Sequence, residues 1–324
     1  MTPEQHLLAL RNSVDLYLKG LANETEPESL YEPIRYVLHA PGKRIRPVLS
    51  LLSGKMAGGQ DSIVMPVAAA VEVFHNFTLV HDDIMDHAAS RRGNPTVHVK
   101  WDENVAILSG DMMVGMAYRL LLFSETVHLR DVISVFQDSV DAVCEGQALD
   151  KEFETRPVVS IPEYLNMIEK KTAWLISSAL RIGWVAVNGK DGTDKKLHNL
   201  AILLGRGFQI QDDYLDLMGD EASFGKTIGG DIVEGKKTYL LLTALERAEG
   251  DDKIFVRKIM NREVGFDQIP AVRDLFKRLG VLAETEMVIN KTFEETYSLL
   301  KDFEGNPGYE VLKLQIEQII NRKF

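Results

Sequence analysis

Apolar residues recur every three or four positions along most of the chain. The segments "YEPIRYVLHA", "RPVLSLLSGKMA", "VMPVAAAVEVFHNFTLVHDDIMD", "NVAILSGDMMVGMAYRLLLFSE", "LRDVISVFQDSVDAVCEGQALDKEFE", "IPEYLNMIEKKTAWLISSALRIGWVAV", "LHNLAILLGRGFQIQDDYLDLM" and "KKTYLLLTALERAE" all carry this spacing. On a helix it gathers the apolar side chains onto one face. The period-two alternation of a half-buried strand is almost absent. Pro47 and Pro162 suit first-turn positions, and "AGGQDS" and "GKDGTD" read as turns between helices. Beyond Gly250 the helical segments shorten, as in "KIFVRKIM" and "IPAVRDLFKRLG", before the longer "ETEMVINKTFEETYSLLKDF". No Pro- or Ser-rich linker and no low-complexity run interrupts the pattern. It predicts an all-α, many-helix bundle forming a single domain over residues 1–324.

Composition narrows the function classes. With 324 residues, 45% of them hydrophobic, the chain can bury a large core. Its net charge of −11 argues against a broad nucleic-acid surface, so an anionic ligand would need local cations. A single cysteine, Cys144, allows no intramolecular disulfide and suits a reducing compartment; it is expected to be a buried small residue rather than a nucleophile. The start "MTPEQHLLALRNS" lacks the basic head and continuous apolar run of a signal peptide. No stretch approaches about 18 uninterrupted apolar residues, so no membrane span and a cytoplasmic location are expected.

One pattern occurs twice. "FTLVHDDIMD" places Asp82, Asp83 and Asp86 after an apolar helical stretch, and about 130 residues later "FQIQDDYLD" repeats this with Asp212, Asp213 and Asp216. Residues four apart share a helix face, so Asp82 pairs with Asp86 and Asp212 with Asp216. Like charges so placed cost about 0.2–0.5 kcal/mol per pair, with no helical gain in return. A solvated acidic face explains one such motif; two, each continuing an apolar helix, point to a divalent cation.

Mg²⁺ fits the donor set. It takes oxygen ligands, keeps several waters and uses one or two carboxylates while phosphate oxygens complete its octahedron. The spacing lacks the glycine turn and loop ligands of an EF-hand, and no His/Cys set for zinc is present. Two carboxylate clusters across a cavity would clamp metal ions around a diphosphate. Cations for that diphosphate lie at turns: Lys43, Arg44 and Arg46 in "PGKRIRP", Arg91 and Arg92 after the first motif, Lys170 and Lys171 in "EKKTA", and Lys226, Lys236 and Lys237 in "FGKTIGGDIVEGKKT". The segment Gly230–Lys237 approaches a P-loop, but Lys237 stands where Ser or Thr would bind magnesium and no apolar strand precedes it.

Taken together and in order, "GKRIRP", "DDIMDHAASRRG", "GQALD", "KT", "DDYLD" and "GK…GGDI…GKKT" make the sequence resemble the trans-isoprenyl diphosphate synthases of the polyprenyl synthetase family, from about residue 30 to residue 250. The resemblance implies an all-α isoprenoid synthase fold around a deep central cavity, usually as a homodimer. It also implies Mg²⁺-dependent, head-to-tail condensation of isopentenyl diphosphate with an allylic diphosphate. By that resemblance Asp82 and Asp86 ligate two Mg²⁺ ions and Asp212 a third, supported by Asp83, Asp213 and Asp216. Lys43, Arg46, His75 and Arg92 would hold isopentenyl diphosphate. Arg91, Lys171, Lys226 and Lys236 would hold the allylic diphosphate, with Thr172 and Gln209 beside the developing cation.

The chemistry suits those roles. Ionising an allylic C–O bond leaves a diphosphate anion, stabilised by metal, Lys and Arg, and a carbocation that needs shielding from water and contact with oxygen dipoles or aromatic faces. Product length in the family depends on bulky residues just before the first motif. Phe77, Thr78 and Phe74 are the candidates; at about 1.5 Å per residue, Phe77 lies about 7.5 Å and Phe74 about 12 Å below Asp82. A single aromatic beside a small residue resembles the geranylgeranyl type more than the farnesyl type. Some shorter-product bacterial relatives place four residues between the outer aspartates of the first motif, whereas this chain has two plus the second aspartate, which argues against that subgroup. Farnesyl or longer products, a terpene cyclase, and a non-catalytic partner subunit are the alternatives. The all-aspartate second motif and "GKRIRP" weigh against a cyclase, and the intact aspartates against a bare subunit.

Overall fold

Helix-start signals in the sequence become real caps. In the computed structural model, which describes residues 1–23, 26–219 and 228–321, the first helix, α1 (Pro3–Lys19), opens with a reciprocal capping box between Thr2 and Gln5. Helix α2 (Glu28–Leu38) and α3 (Ile45–Met56) follow, then α4 (Asp61–Met85), a two-residue strand pair β1 (Ser90–Arg91) and β2 (Asn94–Pro95), and the single turn α5 (Val97–Lys100). Helix α6 (Glu103–Leu122) is capped by Asp102, whose carboxylate accepts from the Val105 amide at 2.8 Å. The remaining long helices include α7 (Leu129–Thr155), α8 (Ile161–Ile168), α9 (Trp174–Asn188) and α10 (Thr193–Met218). Lys226 lies outside the described residues.

The chain divides into two compact units. The first comprises residues 1–138, 175–198 and 303–316. Its centre is α4, buried almost continuously from Val64 to Phe74 and packed against α3 and α6. Glycines set how closely these helices approach: a Cβ at Gly183 of α9 would run into the Ser50 carbonyl of α3, and one at Gly110 of α6 into the His81 ring of α4. By length and composition α4 and α6 could each cross a membrane, but 67% of the apolar window of α4 is already buried within the protein.

The second unit comprises residues 139–174, 199–302 and 317–324. Ser160 and Glu163 form a capping box at the start of α8, with Pro162 in its first turn as expected. Helix α8 then runs into one π-helical turn, Glu169–Ala173. The helices Tyr239–Arg247, Gly250–Met260, Ile269–Arg278 and Val281–Leu300 surround a core that includes Leu217, Leu241, Val256, Val272 and Phe276.

Two sequence expectations change. Cys144 is exposed rather than buried, because Ala142, Val143 and Gly146 take the inner face of α7 and leave Cys144 beside Asp141 and Glu145. Partial burial and those two carboxylates push its thiol pKa up, which keeps it a poor nucleophile. The arginine loop is a small antiparallel hairpin, with Ser90 opposite Pro95 and Arg91 opposite Asn94. Its central pair, Arg92 and Gly93, have φ of 52° and 77°, the left-handed backbone that a two-residue turn with right-handed strand twist requires.

Candidate active site

In the first unit the apolar interior of α4 ends at the aspartates. The Asp86 amide donates to the Asp82 carbonyl at 2.9 Å, so the helical register carries through Asp86 and keeps both side chains on one face. Asp83 lies further round the helix, buried, where Arg91 Nε donates to both its oxygens at 2.8 and 3.0 Å. Asp83 therefore anchors the hairpin that carries Arg91 and Arg92. Together with Asn76, these three border a cavity of about 490 Å³.

The three cations of "GKRIRP" do different work. Arg44, in left-handed backbone at φ 48°, is only 4% exposed. It donates to Asp15 at 2.7 Å, to Glu72 at 2.9 Å and to the carbonyls of Leu38 and Ala40. All its polar reach is spent inside the fold, which removes it from the diphosphate-binding candidates. Lys43 is exposed. Arg46 Nη1 lies 3.0 Å from His75 Nε2. Because guanidinium can only donate, Nε2 accepts and the ring is neutral with its proton on Nδ1. Arg92 donates to the Pro41 carbonyl at 3.1 Å, which holds the hairpin against the same loop.

Burial, then the nearby Arg46 and Arg92, hold His75 well below its usual pKa, and burial pushes Arg46 down to about 10, so Arg46 is charged and His75 neutral at pH 7. The unfolded chain therefore binds more protons than the folded one once the pH falls below the unfolded histidine value of about 6.5, and stability should decline on that acid side. Melting temperatures measured across this range should fall less steeply for His75→Gln than for the wild type; parallel curves would contradict the assignment.

The candidate length-determining residues lie along one aromatic column. Phe74 is 0% exposed, with its ring 5.3 Å from Phe77 and 5.4 Å from Phe136. Phe77, partly buried, meets the His81 ring edge-on at 4.6 Å. The Thr78 hydroxyl donates to the His75 carbonyl at 2.8 Å.

In the second unit the "KT" pair sits in the π-helical turn. Lys171 is ion-paired with Asp150 of "GQALD" at 2.6 Å, and Lys170 with Glu145. The glycine of that motif, Gly146, is pressed against the turn: an added Cβ would lie 2.7 Å from the Lys171 Cα and closer still to its nitrogen. From Thr172 a hydrogen-bond series leads to the second aspartate motif. Thr172 Oγ1 donates to Gln209 Oε1 at 3.0 Å, Gln209 Nε2 donates to Asp213 Oδ1 at 2.9 Å, and the Tyr164 hydroxyl donates to Asp213 Oδ2 at 2.5 Å. Asp213 is 7% exposed; its burial and the neighbouring Asp231 raise its pKa, while the bonds from Tyr164 and Gln209 oppose that rise.

Asp212 is half-buried, and Asp216 accepts from the Asp231 amide at 3.0 Å. Lys236 lies 3.0 Å from both Asp231 and Glu234. Lys237, by contrast, is buried and donates to the Phe153 carbonyl, a structural role. Sequence reasoning missed Tyr164, whose partner Asp213 lies 49 residues further on, and gave Asp231 of "GGDI" no role of its own.

Among the described residues no group of three or more His, Cys, Asp or Glu side chains forms a ready-made metal cage. Mg²⁺ needs only one or two carboxylates while waters and phosphate oxygens fill the other positions, and the chemistry of Asp82 and Asp86, on one helix face, fits that donor set.

Comparison with known proteins agrees with this chemistry. The model of the family described as polyprenyl synthetase matches residues 27–277. A short chain isoprenyl diphosphate synthase of Methanothermobacter thermautotrophicus is 37% identical over 311 residues, 95% of each chain. A geranylgeranyl diphosphate synthase of Saccharolobus solfataricus is 39% identical over 315 residues, 90% of this chain and 94% of its own. Other relatives bear the name geranylfarnesyl diphosphate synthase. The crystal structure of geranylgeranyl pyrophosphate synthetase from Pyrococcus horikoshii superposes with a TM-score of 0.91 at 32% identity, over 99% of this chain and 100% of that one. Fold and site thus define an all-α trans-prenyltransferase. The chain belongs to the polyprenyl synthetase family, whose members act on isoprenoid diphosphates and generally use Mg²⁺.

Proposed function

We propose that this protein makes geranylgeranyl diphosphate by successive head-to-tail additions of isopentenyl diphosphate to an allylic diphosphate, within one synthase domain covering residues 1–324. The observation that carries this reading is the Arg46–His75 pair beside Arg92, in the same unit as the first aspartate motif. An isopentenyl diphosphate site distinguishes an elongating synthase from a cyclase, which has no second diphosphate to hold.

Asp82, Asp86 and Asp212 would hold Mg²⁺, with Asp83, Asp213 and Asp216 supporting them; three ions are expected with substrate bound. Bound Mg²⁺ supplies Lewis-acid stabilisation of the departing diphosphate. Arg46, Arg92 and Lys43, with His75 as the neutral partner that orients Arg46, would bind isopentenyl diphosphate. Arg91, Lys171, Lys226 and Lys236 would bind the allylic diphosphate. Lys171 and Lys236 would exchange their carboxylate partners for phosphate oxygens. Thr172 and Gln209 would offer oxygen lone pairs to the allylic cation. Phe77, backed by Phe74, would stop the growing tail, with Thr78 leaving room beside it.

A homodimer is supported by the outward-facing apolar residues Leu108, Leu122 and Phe123 on and just after α6, which are 60%, 61% and 72% exposed. The buried window of α4 supports a water-soluble enzyme, and the single cysteine suits a cytoplasmic one.

The test is incubation of the purified protein with Mg²⁺, labelled isopentenyl diphosphate and each of dimethylallyl, geranyl and farnesyl diphosphates, with products resolved by length. A discrete twenty-carbon product is expected. A fifteen- or twenty-five-carbon product would keep the chemistry and remove Phe77 as the stop, and no elongation with any primer would overturn the reading.

A further inference from the structure

The series Thr172–Gln209–Asp213–Tyr164 has a direction, set at its buried end. Gln209 Nε2 lies 2.9 Å from Asp213 Oδ1 and Gln209 Oε1 lies 3.0 Å from Thr172 Oγ1, so the amide turns its NH₂, which can only donate, toward Asp213 and its carbonyl, which can only accept, toward Thr172. The Thr172 hydroxyl must then spend its proton on Gln209, leaving its lone pairs as the only part free to face a ligand. Turned the other way, the amide would donate to Thr172 and leave the threonine proton pointing outward, a positive dipole end where an allylic cation forms.

What prevents that reversal is the carboxylate's own fixation. Tyr164, 1% exposed on α8, donates to Asp213 Oδ2 at 2.5 Å while Gln209 takes Oδ1. The two donors occupy opposite oxygens, so neither can rotate the carboxylate without loss of the other. Gly205 allows the close packing on which this depends: a Cβ there would lie 2.5 Å from the Cα of Ala173, next to Thr172.

We propose that Tyr164 is a positioning residue for the prenyl-transfer step. Its hydroxyl locks the Asp213 carboxylate and, through Gln209, sets which end of the Thr172 dipole meets the reacting carbon. Tyr164 touches neither substrate nor metal in this assignment, which rests on the placement of Thr172 and Gln209 beside the cation proposed above.

Tyr164→Phe keeps the ring and removes only the donor. Its kcat should fall about ten- to a hundredfold, the range expected when reacting groups lose alignment, with the KM of both diphosphates and the Mg²⁺ dependence within about twofold of wild type. The decisive measurement is a double-mutant cycle with Thr172→Val. If Tyr164 acts through the series, the double variant should be no slower than Thr172→Val alone; fully additive losses would overturn the proposal. So would an unchanged kcat in Tyr164→Phe, or a variant that fails to fold by circular dichroism, which would assign the hydroxyl to the fold instead. Wild-type turnover in the same assay separates the two readings. An inactive wild type sinks the proposed function, whereas an active wild type matched by an equally active Tyr164→Phe sinks only this inference.

Discussion

Replacing Asp82 with Ala is expected to lower kcat by at least about a thousandfold, equivalent to about 4 kcal/mol of lost transition-state stabilisation. The far-ultraviolet circular dichroism should be unchanged. The bond from the Asp86 amide to the Asp82 carbonyl is a backbone bond that substitution leaves in place, and alanine is the best helix former, so α4 should keep its end. What disappears is one carboxylate of the pair proposed to hold Mg²⁺, and with it the charge that offsets the departing diphosphate. Asp212→Ala should behave alike. Activity near that of wild type in either variant, at saturating Mg²⁺ and substrates, would remove the metal clamp from the account.

The second large effect should come from Gly146→Ala, a substitution that removes no chemical group. The new methyl would press on the Lys171 backbone nitrogen and lie 2.7 Å from its Cα, so α7 and the π-helical turn must move apart. Backbone cannot rotate aside as a flexible side chain can, and over-packing of this kind costs about 1–3 kcal/mol. A displaced turn carries Lys171 away from Asp150 and Thr172 away from Gln209 together. Since misplacement by about 1 Å can cost a hundredfold in rate, kcat should drop by about that factor while the melting temperature falls by only a few degrees. Steady-state kinetics alongside thermal melts would decide it; a fully active variant would show that the turn yields without consequence.

These two positions illustrate what was legible in the sequence. Asp82 could be picked out as a candidate directly, because a doubled acidic triplet after an apolar helix carries like-charge repulsion with no helical gain in return. Gly146 could be seen only as part of the string "GQALD"; its reason lies in a contact with residue 171, and sequence spacing does not report which backbones touch. The helical pattern and the first-turn place of Pro162 were readable because they depend on near neighbours. Tyr164 looked like one more apolar position of α8, since its partner Asp213 lies 49 residues further on. Cys144 was misplaced because cysteine composition alone favours burial, whereas the register of α7 turns it outward. The hairpin around Arg92 was invisible to a strand search, being two residues long on each side.

The burial of Arg44 bears on how this protein would vary under selection. Within six residues, one arginine is committed to Asp15, Glu72 and two carbonyls, while Arg46 faces His75. Leaving Glu72 buried without its counter-charge is the kind of change that removes a fold. With Arg46 in its proposed diphosphate-binding role, the "GKRIRP" string would answer to two pressures at once, cellular abundance at position 44 and turnover at position 46. Loss of function through this single motif would take two separable forms: cells that contain no enzyme, and cells full of an enzyme that stands idle.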